Sequence, residues 1–369
     1  MSISNPMKNL LSAFILLMLC FTAQAQTKFV NEFLNIGVGA EAHGKFGSVV
    51  ATADDVSAGY WNPAGLTQLE SPLQVSAMHA NWFGGIANYD YVSIAKKFKG
   101  DRGAVGGLTI IRMGVDNIPN TLNLIGPDGT VNYDRITTFS ASDLAALFSY
   151  ARNMNEKGNF SVGGSLKVIR RSIGSFASAW GFGADIGAQL RGDRFSFGAS
   201  VRDITTTFNA WSFDLSEEDK QIFQQTGNDI PVSSTEISLP RLIIGAAMHG
   251  KKNSISYLLE ANLNVSSNGT EAGVFSGRSF AVDPTIGMEV GYAERVFVRA
   301  GIGNIQSVIN PSVTDGIERS LEFQPNFGMG LKLGRLKVDY ALTNIGSVSN
   351  VLVSHIFSLT LNFNAKKSS

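Results

Sequence analysis

The sequence predicts an all-β fold: a transmembrane outer-membrane β-barrel of about fourteen antiparallel strands with an N-terminal plug segment. Three observations carry this. Apolar and polar residues alternate strictly over many segments. The gaps between those segments alternate between short, charged turns and longer, more varied loops. The chain begins with an export signal, yet holds only 16 % charged residues against roughly 25 % in soluble domains.

Taken in order, residues 1–25 read as a cleaved secretory signal peptide. Lys8 is the only charge there, an apolar run spans Leu10 to Phe21, and Ala23-Gln24-Ala25 supplies the small-residue cleavage site. The mature chain is then expected to start near Gln26. The single cysteine, Cys20, leaves with the signal, and Leu19 stands where a lipoprotein signal wants a small residue. No disulfide, thiol chemistry or cysteine metal site is expected. Thirty basic and thirty acidic residues balance, which argues against a nucleic-acid partner. After the signal no apolar run reaches the length of a membrane helix, so a helical membrane protein is excluded. A barrel is not, because its strands carry only a dyad pattern.

Residues 26–70 do not alternate and are assigned to a plug. Gly37-x-Gly39-x-x-Ala42 matches a dinucleotide fingerprint superficially, but no strand–turn–helix context surrounds it, and no cofactor is expected. The stretch Ala53 to Leu66, "ADDVSAGYWNPAGL", is read as architecture. Pro63 suits a turn ahead of a strand, Asn62 can close a local side-chain turn, and Gly65 permits a tight bend. Asp54 and Asp55 are taken as caps or as partners for a lumen arginine. Two adjacent acids are too few ligands for calcium, and no metal is expected.

Residues 71–364 are assigned to the barrel. Strands are placed near 72–81, 87–98, 103–114, 141–151, 159–171, 176–191, 194–204, 239–249, 254–266, 279–292, 295–304, 322–333, 336–345 and 351–363. In the last, Phe357, Leu359, Leu361 and Phe363 alternate with Ser358, Thr360 and Asn362. Every second gap is short and charged, such as Ala293-Glu294 and Gly334-Arg335, as periplasmic turns of such barrels are. Both chain ends are then expected on the periplasmic side, and residues 365–369 form a short tail. The two largest gaps are Asp116–Ser140 and Thr205–Leu239. In the second, Ser216 followed by Glu217 and Glu218 reads as a capped short helix. Trp211, Phe213, Ile222 and Phe223 there form a candidate outer-loop docking surface. The alternative is a loop that only closes the barrel mouth. The histidines His43, His79, His249 and His355 show no ligand spacing, no G-x-S-x-G occurs, and no enzyme is expected.

At the plug the sequence resembles the PorV/PorQ-like outer-membrane proteins of Bacteroidota, within the FadL-type barrel superfamily. Asp54, Asp55, Ser57, Asn62, Pro63, Ala64 and Gly65 match an N-terminal D-D-A-S-x-x-x-x-N-P-A-G pattern, with Val56 where Ala is usual. The resemblance implies a fourteen-stranded barrel in the outer membrane of a Gram-negative cell, in contact with its lipid. For the PorV branch it implies handling type IX secretion components and cargo C-terminal domains. For the FadL branch it implies transport of long-chain fatty acids or other hydrophobic small molecules.

Overall fold

The computed structural model describes residues 30–99, 103–125, 129–225, 227, 229–267, 275–276, 280–309, 319–343 and 353–363. The signal-peptide assignment and the tail 365–369 lie outside them.

Seventeen strands form one sheet. They are β1 (Leu73–Trp82), β2 (Ala87–Lys97), β3 (Val105–Asn120), β4 (Thr137–Asn153), β5 (Phe160–Ile173), β6 (Ala177–Arg191), β7 (Phe195–Arg202), β8 (Thr207–Phe213), β9 (Ser234–Ser238), β10 (Arg241–Lys252), β11 (Ile255–Ser266), β12 (Phe275–Ser276), β13 (Ala281–Tyr292), β14 (Val296–Ile309), β15 (Arg319–Leu333), β16 (Leu336–Thr343) and β17 (Ser354–Phe363). Fourteen of them close a ring. β1 pairs with both β2 and β17, β7 pairs with β10, and β11 pairs with β13, so the ring bypasses β8, β9 and β12. Every pairing is antiparallel. Closure pairs every edge of the ring.

The decisive feature is which face is apolar. Leu166, Phe197, Met288, Val298, Phe327 and Leu359 project outward and are about half exposed or more. Their strand neighbours Ser149, Ser165, Ser200, Asn262, Arg299, Asn326, Asp339 and Ser358 face inward and are buried. A soluble sandwich has the opposite arrangement. An apolar belt around a polar interior is the arrangement of a barrel in lipid.

One end of the barrel carries tight turns, including Asn253-Ser254 and Gly334-Arg335 between paired strands. In the three-residue turn between the paired Tyr292 and Val296, Ala293 and Glu294 both have positive φ, 52° and 54°, which suits the right-handed twist of the hairpin. The other end carries the long connections. We call these the turn end and the loop end. In outer-membrane barrels the turn end faces the periplasm.

The sequence placed the ring strands within a few residues, with two differences. β3 and β4 run on to Asn120 and back to Thr137, so strand occupies much of the expected loop Asp116–Ser140. A bulge between Val115 and Ile118, with Asn117 at φ 57°, re-aims this extension. The expected loop Thr205–Leu239 holds β8, β9 and the helix Glu217–Gln225. β8 pairs with the loop-end half of β6 after β7 has left it.

Residues 30–72 fill the lumen. They hold two short helices, α1 (Ala40–Gly44) and α2 (Ala58–Trp61), and a 3-10 turn Pro63–Gln68. The first described residues lie toward the loop end: Tyr89 Oη donates to the carbonyl of Phe33 at 3.0 Å, and Asn209 Nδ2 donates to Asn31 Oδ1 at 2.8 Å. The segment then crosses the lumen and joins β1 at the turn end.

The described residues hold no cysteine, so orientation is directly testable. Val232→Cys, 74 % exposed beside β9, should react with an impermeant thiol reagent on intact cells, and Lys252→Cys at the turn end should not. The reverse labelling would invert the barrel.

Candidate functional site

The "ADDVSAGYWNPAGL" stretch forms the plug's attachment to the wall. Asn62, fully buried, caps the Pro63–Gln68 turn through Ala64 N at 3.3 Å. Its Nδ2 donates to the carbonyl of Val50 at 2.8 Å and to that of Ala188 on β6 at 3.0 Å. Pro63 opens the turn without spending an N–H. Gly65 packs against Ala53 so closely that an added Cβ would overlap the Ala53 carbonyl and sit 3.1 Å from the Ala58 Cβ. Asp55 Oδ1 accepts from Ser57 N and Oγ at 2.8 and 2.5 Å, and burial pushes its carboxyl up to about 6. Asp54 pairs with Arg191 at 3.4 Å. Tyr60 and Trp61 pack edge to face, 4.9 Å apart, and both reach back into the plug. Tyr60 Oη donates to the Leu34 carbonyl, and Trp61 Nε1 donates to that of Val38 at 2.9 Å.

Three wall residues grip residues 51–53 near the turn end. Glu260 accepts from Ala51 N at 2.8 Å and from Thr52 Oγ1. Gln189 Nε2 donates to the carbonyls of Ala51 and Ala53 at 2.9 and 3.1 Å, and Arg191 donates to that of Thr52 at 2.5 Å. Glu260 was visible as a charge at an inward position of an alternating strand. Its partner was not.

A six-charge cluster binds α1. Arg299 on β14, 1 % exposed, donates to Glu289 at 2.5 Å and Asp339 at 2.7 Å, and lies 3.4 Å from Glu41. Glu41 also pairs with Lys45 at 3.0 Å and with Lys337 of β16. Burial alone would raise the Glu41 carboxyl, but Lys337, Lys45 and Arg299 hold it well below the usual range. Ser358 Oγ accepts from Ala40 N at 2.8 Å, and Asn326 Nδ2 donates to the His43 carbonyl at 2.9 Å.

Two cavities lie on opposite sides of this segment. The larger, about 320 Å³, opens toward the loop end. Ile36, Phe46, Trp61, Trp82 and Ile243 supply its apolar lining, and His43, Arg202 and Asn326 are among its polar groups. Burial takes the His43 imidazole down to about 4, so it is neutral. Arg202 lies over the Tyr60 ring at 4.3 Å and the Trp61 ring at 5.3 Å. The smaller cavity, about 20 Å³, lies toward the turn end among Glu41, Lys45, Asp55, Ser76, Asp339 and Ser358.

The candidate docking residues separate by burial. Trp211 is 9 % exposed, so it is not available as a surface residue. It packs on Ala177 and Ala179, lies under Arg171 at 5.2 Å and donates from Nε1 to Glu236 at 2.8 Å. β8 alternates like any wall strand, and Trp211 falls on its inward side. Phe213 stacks on Trp211 at 6.3 Å. Ile222 and Phe223 are half-buried on the helix Glu217–Gln225, which we call α3. As the sequence indicates, Ser216 caps it: Ser216 Oγ accepts from Asp219 N at 3.1 Å.

This is the fold of FadL-type outer-membrane channels. A Pseudomonas putida toluene transporter, TodX, superimposes with a TM-score of 0.56 at 12 % identity, over 89 % of this chain and 98 % of that one. The monoaromatic hydrocarbon channel CymD gives 0.53 at 14 % identity, over 89 % and 98 %. A Pseudomonas aeruginosa FadL homologue gives 0.53 at 12 %, with the same coverage. No family model matches the sequence, and no curated protein does.

Asn62 yields a sharp test. Asn62→Asp keeps the shape but removes the donor and sets a carboxylate against two carbonyl oxygens. It should release the plug as fully as Asn62→Ala, with a loss of roughly 2–4 kcal/mol in seating for either variant. Protease cleavage within residues 50–60 of the detergent-purified barrel reads this out. Wild-type resistance in Asn62→Asp would show that the two donated bonds do not hold the plug.

Proposed function

We propose that this protein is a plugged outer-membrane channel for hydrophobic small molecules, which it takes up from the loop side. The loop-end cavity carries the proposal. Its volume lies at the low end of the roughly 300–1,000 Å³ of small-molecule sites. Aromatic and aliphatic side chains form part of its lining, and polar ones, including Asn35, Arg241, Asn264, Asp283, Thr285 and Gln324, form the larger part, so it is more polar than a typical small-molecule site. His43, Arg202 and Asn326 each have one buried polar atom without a protein partner. A ligand with an apolar body and one hydrogen-bonding group would fit that lining, whereas a pure hydrocarbon would leave those atoms unpaired. Shared fold with TodX, a toluene transporter, and CymD, a monoaromatic hydrocarbon channel, supports the reading.

The second reading is delivery of type IX cargo by a PorV/PorQ-like barrel, and the plug motif from Asp54 to Gly65 favours it. Its docking surface would have to rest on Phe213, Ile222 and Phe223, because burial removes Trp211. The uptake reading needs no such surface.

The experiment compares both ligand classes. Cells lacking their own uptake channel and expressing this chain should accumulate a labelled cresol or long-chain fatty acid faster than control cells. Ile243→Trp fills the cavity from the wall of β10 and should lower that rate at least about tenfold, since a loss near 1.4 kcal/mol in binding is a factor of ten. Uptake at the control rate, together with tight binding of a cargo C-terminal domain, would replace this reading with the second.

A further inference from the structure

We propose that the outer wall over β4–β7 binds one phospholipid of the periplasmic leaflet, with its phosphate on Arg152 and an acyl chain in a trough that rises from there into the membrane.

The trough is the reverse side of the plug's seat. Gly163 and Gly187 face the lumen, where Pro63, Ala64 and Asn62 lie against them. Their outward neighbours, Gly164 and Ala188, are small as well, so the wall there is little more than backbone. On the lipid side this leaves a groove of about 480 Å³, with Tyr150, Arg152, Val162, Gly164, Ala188 and Ala199 in its lining. At Ala188 and Ala199 it joins a second groove of about 650 Å³, which continues over Ala246 and Ala261. The strands beneath stay paired, with Val162 opposite Ala188 and Ala188 opposite Ala199. The trough therefore does not lead into the lumen; it faces the hydrocarbon. Left unfilled, its lining would forfeit dispersion contacts, and an acyl chain supplies them.

Register gives the trough a direction. Arg152, Val162, Ala188 and Ala199 lie opposite one another in a row across four strands. Counted from the turn end, Arg152 is the second residue of β4, Val162 the third of β5, Ala188 the fourth of β6 and Ala199 the fifth of β7. The row thus climbs away from the periplasm by one residue, roughly 3 Å along the strand, at each step. Arg152 stands at the height of the headgroups, next to Tyr150, an aromatic of the kind that marks the interface. From there the apolar row leads inward.

Arg152 is the group that calls for a ligand. Among the described residues no acid pairs with it, and its Nε is buried without a hydrogen-bond partner. Arg112, Arg171, Arg191 and Arg299 each have a carboxylate, and Arg170 lies over the Trp180 ring. The turn after β4 adds Glu156 and Lys157, whose charges balance. A phosphate diester matches the guanidinium fork, and in a phospholipid it arrives attached to the chains that suit the trough.

The test is native mass spectrometry of the delipidated barrel in detergent, titrated with dioleoyl phosphatidylglycerol. Wild type should take up a first lipid well before any other. Dioleoylglycerol, which has the same chains and no phosphate, should bind at least about tenfold more weakly. Arg152→Gln should lower phosphatidylglycerol affinity by a similar factor, and Arg152→Lys should retain part of it. Gly164→Leu fills the trough from its floor. An added Cβ there meets the Asp185 carbonyl oxygen at 3.4 Å, an ordinary contact, so the barrel should fold while the lipid loses its place. Val298→Leu, on β14 across the barrel, should bind as wild type does. Retained heat-modifiable migration on gels shows that each variant has folded. Equal binding of the two lipids, or equal binding by wild type, Arg152→Gln and Gly164→Leu, would reduce the contact to unspecific boundary lipid and overturn the site. A dimer that Gly164→Leu turns into a monomer would overturn it too, since a second copy would then cover the trough.

Discussion

Everything in this molecule follows from the inversion of its wall. The lipid claims an apolar face of every ring strand, and the lumen face is mixed: Ser, Thr, Asn, Gln and charged side chains over much of it, with Met78, Trp82, Tyr89, Tyr91, Ile111, Leu147 and Ile169 buried among them. Part of the hold on the plug is an apolar cluster, in which Phe33, Leu34, Val38, Val56, Trp61 and Leu66 of the plug are buried with those wall side chains. The rest comes from hydrogen bonds and ion pairs, since each buried polar group has to find its partner or cost free energy. The plug meets that demand by presenting backbone. Carbonyls of Thr52, Ala53, Gly59 and Val50 and amides of Ala40, Ala51 and Val56 are the groups that the wall and the plug's own side chains bind. An irregular segment with unpaired backbone is thus an asset here, where in an apolar core it would be a defect.

Backbone contact requires close approach, and the wall supplies it with glycine. Gly163 lies so near Pro63 and Ala64 that a Cβ would fall 2.6 Å from the Pro63 carbonyl carbon. Gly187 stands against Asn62, Gly198 against Val50, and Gly301 against Lys45 and Phe46. All four face inward, on β5, β6, β7 and β14. At these points only the thickness of one strand separates the plug from lipid. The high glycine content of the chain is therefore in good part a plug-seating device rather than a sign of loose structure.

The sequence disclosed the part of this that the membrane imposes. Lipid requires period two, so strands such as Phe357–Phe363 could be read from alternation, and hairpin closure put the turns where charge and glycine sit. Beyond the membrane the requirement lapses. Asp116 to Asn120 is strand with exposed or half-exposed side chains throughout, and nothing in its pattern separated it from a loop. Inward glycines were equally silent, since a glycine on the polar face looks the same beside water or beside a plug. Glu260 and Arg299 did carry a signal, as charges in mid-strand on the inward face. Their partners lie in a segment without periodicity, and no spacing rule connects Glu41 to Lys337. Of the motif residues, Asn62, Pro63 and Gly65 have turn chemistry that can be read locally. Tyr60 and Trp61 owe their roles to contacts with Leu34 and Val38, which only the fold brings near.

The two ends of the plug are held by different chemistry. Toward the loop end, Asn31 and Phe33 meet Asn209 and Tyr89 through single neutral bonds, beside a cavity with an aromatic lining. Toward the turn end, Glu260, Gln189 and Arg191 clamp three consecutive residues. Phe33 and Leu34 are also buried in the apolar cluster there, so the loop-end hold rests on packing and neutral bonds where the turn-end hold rests on polar clamps of the backbone.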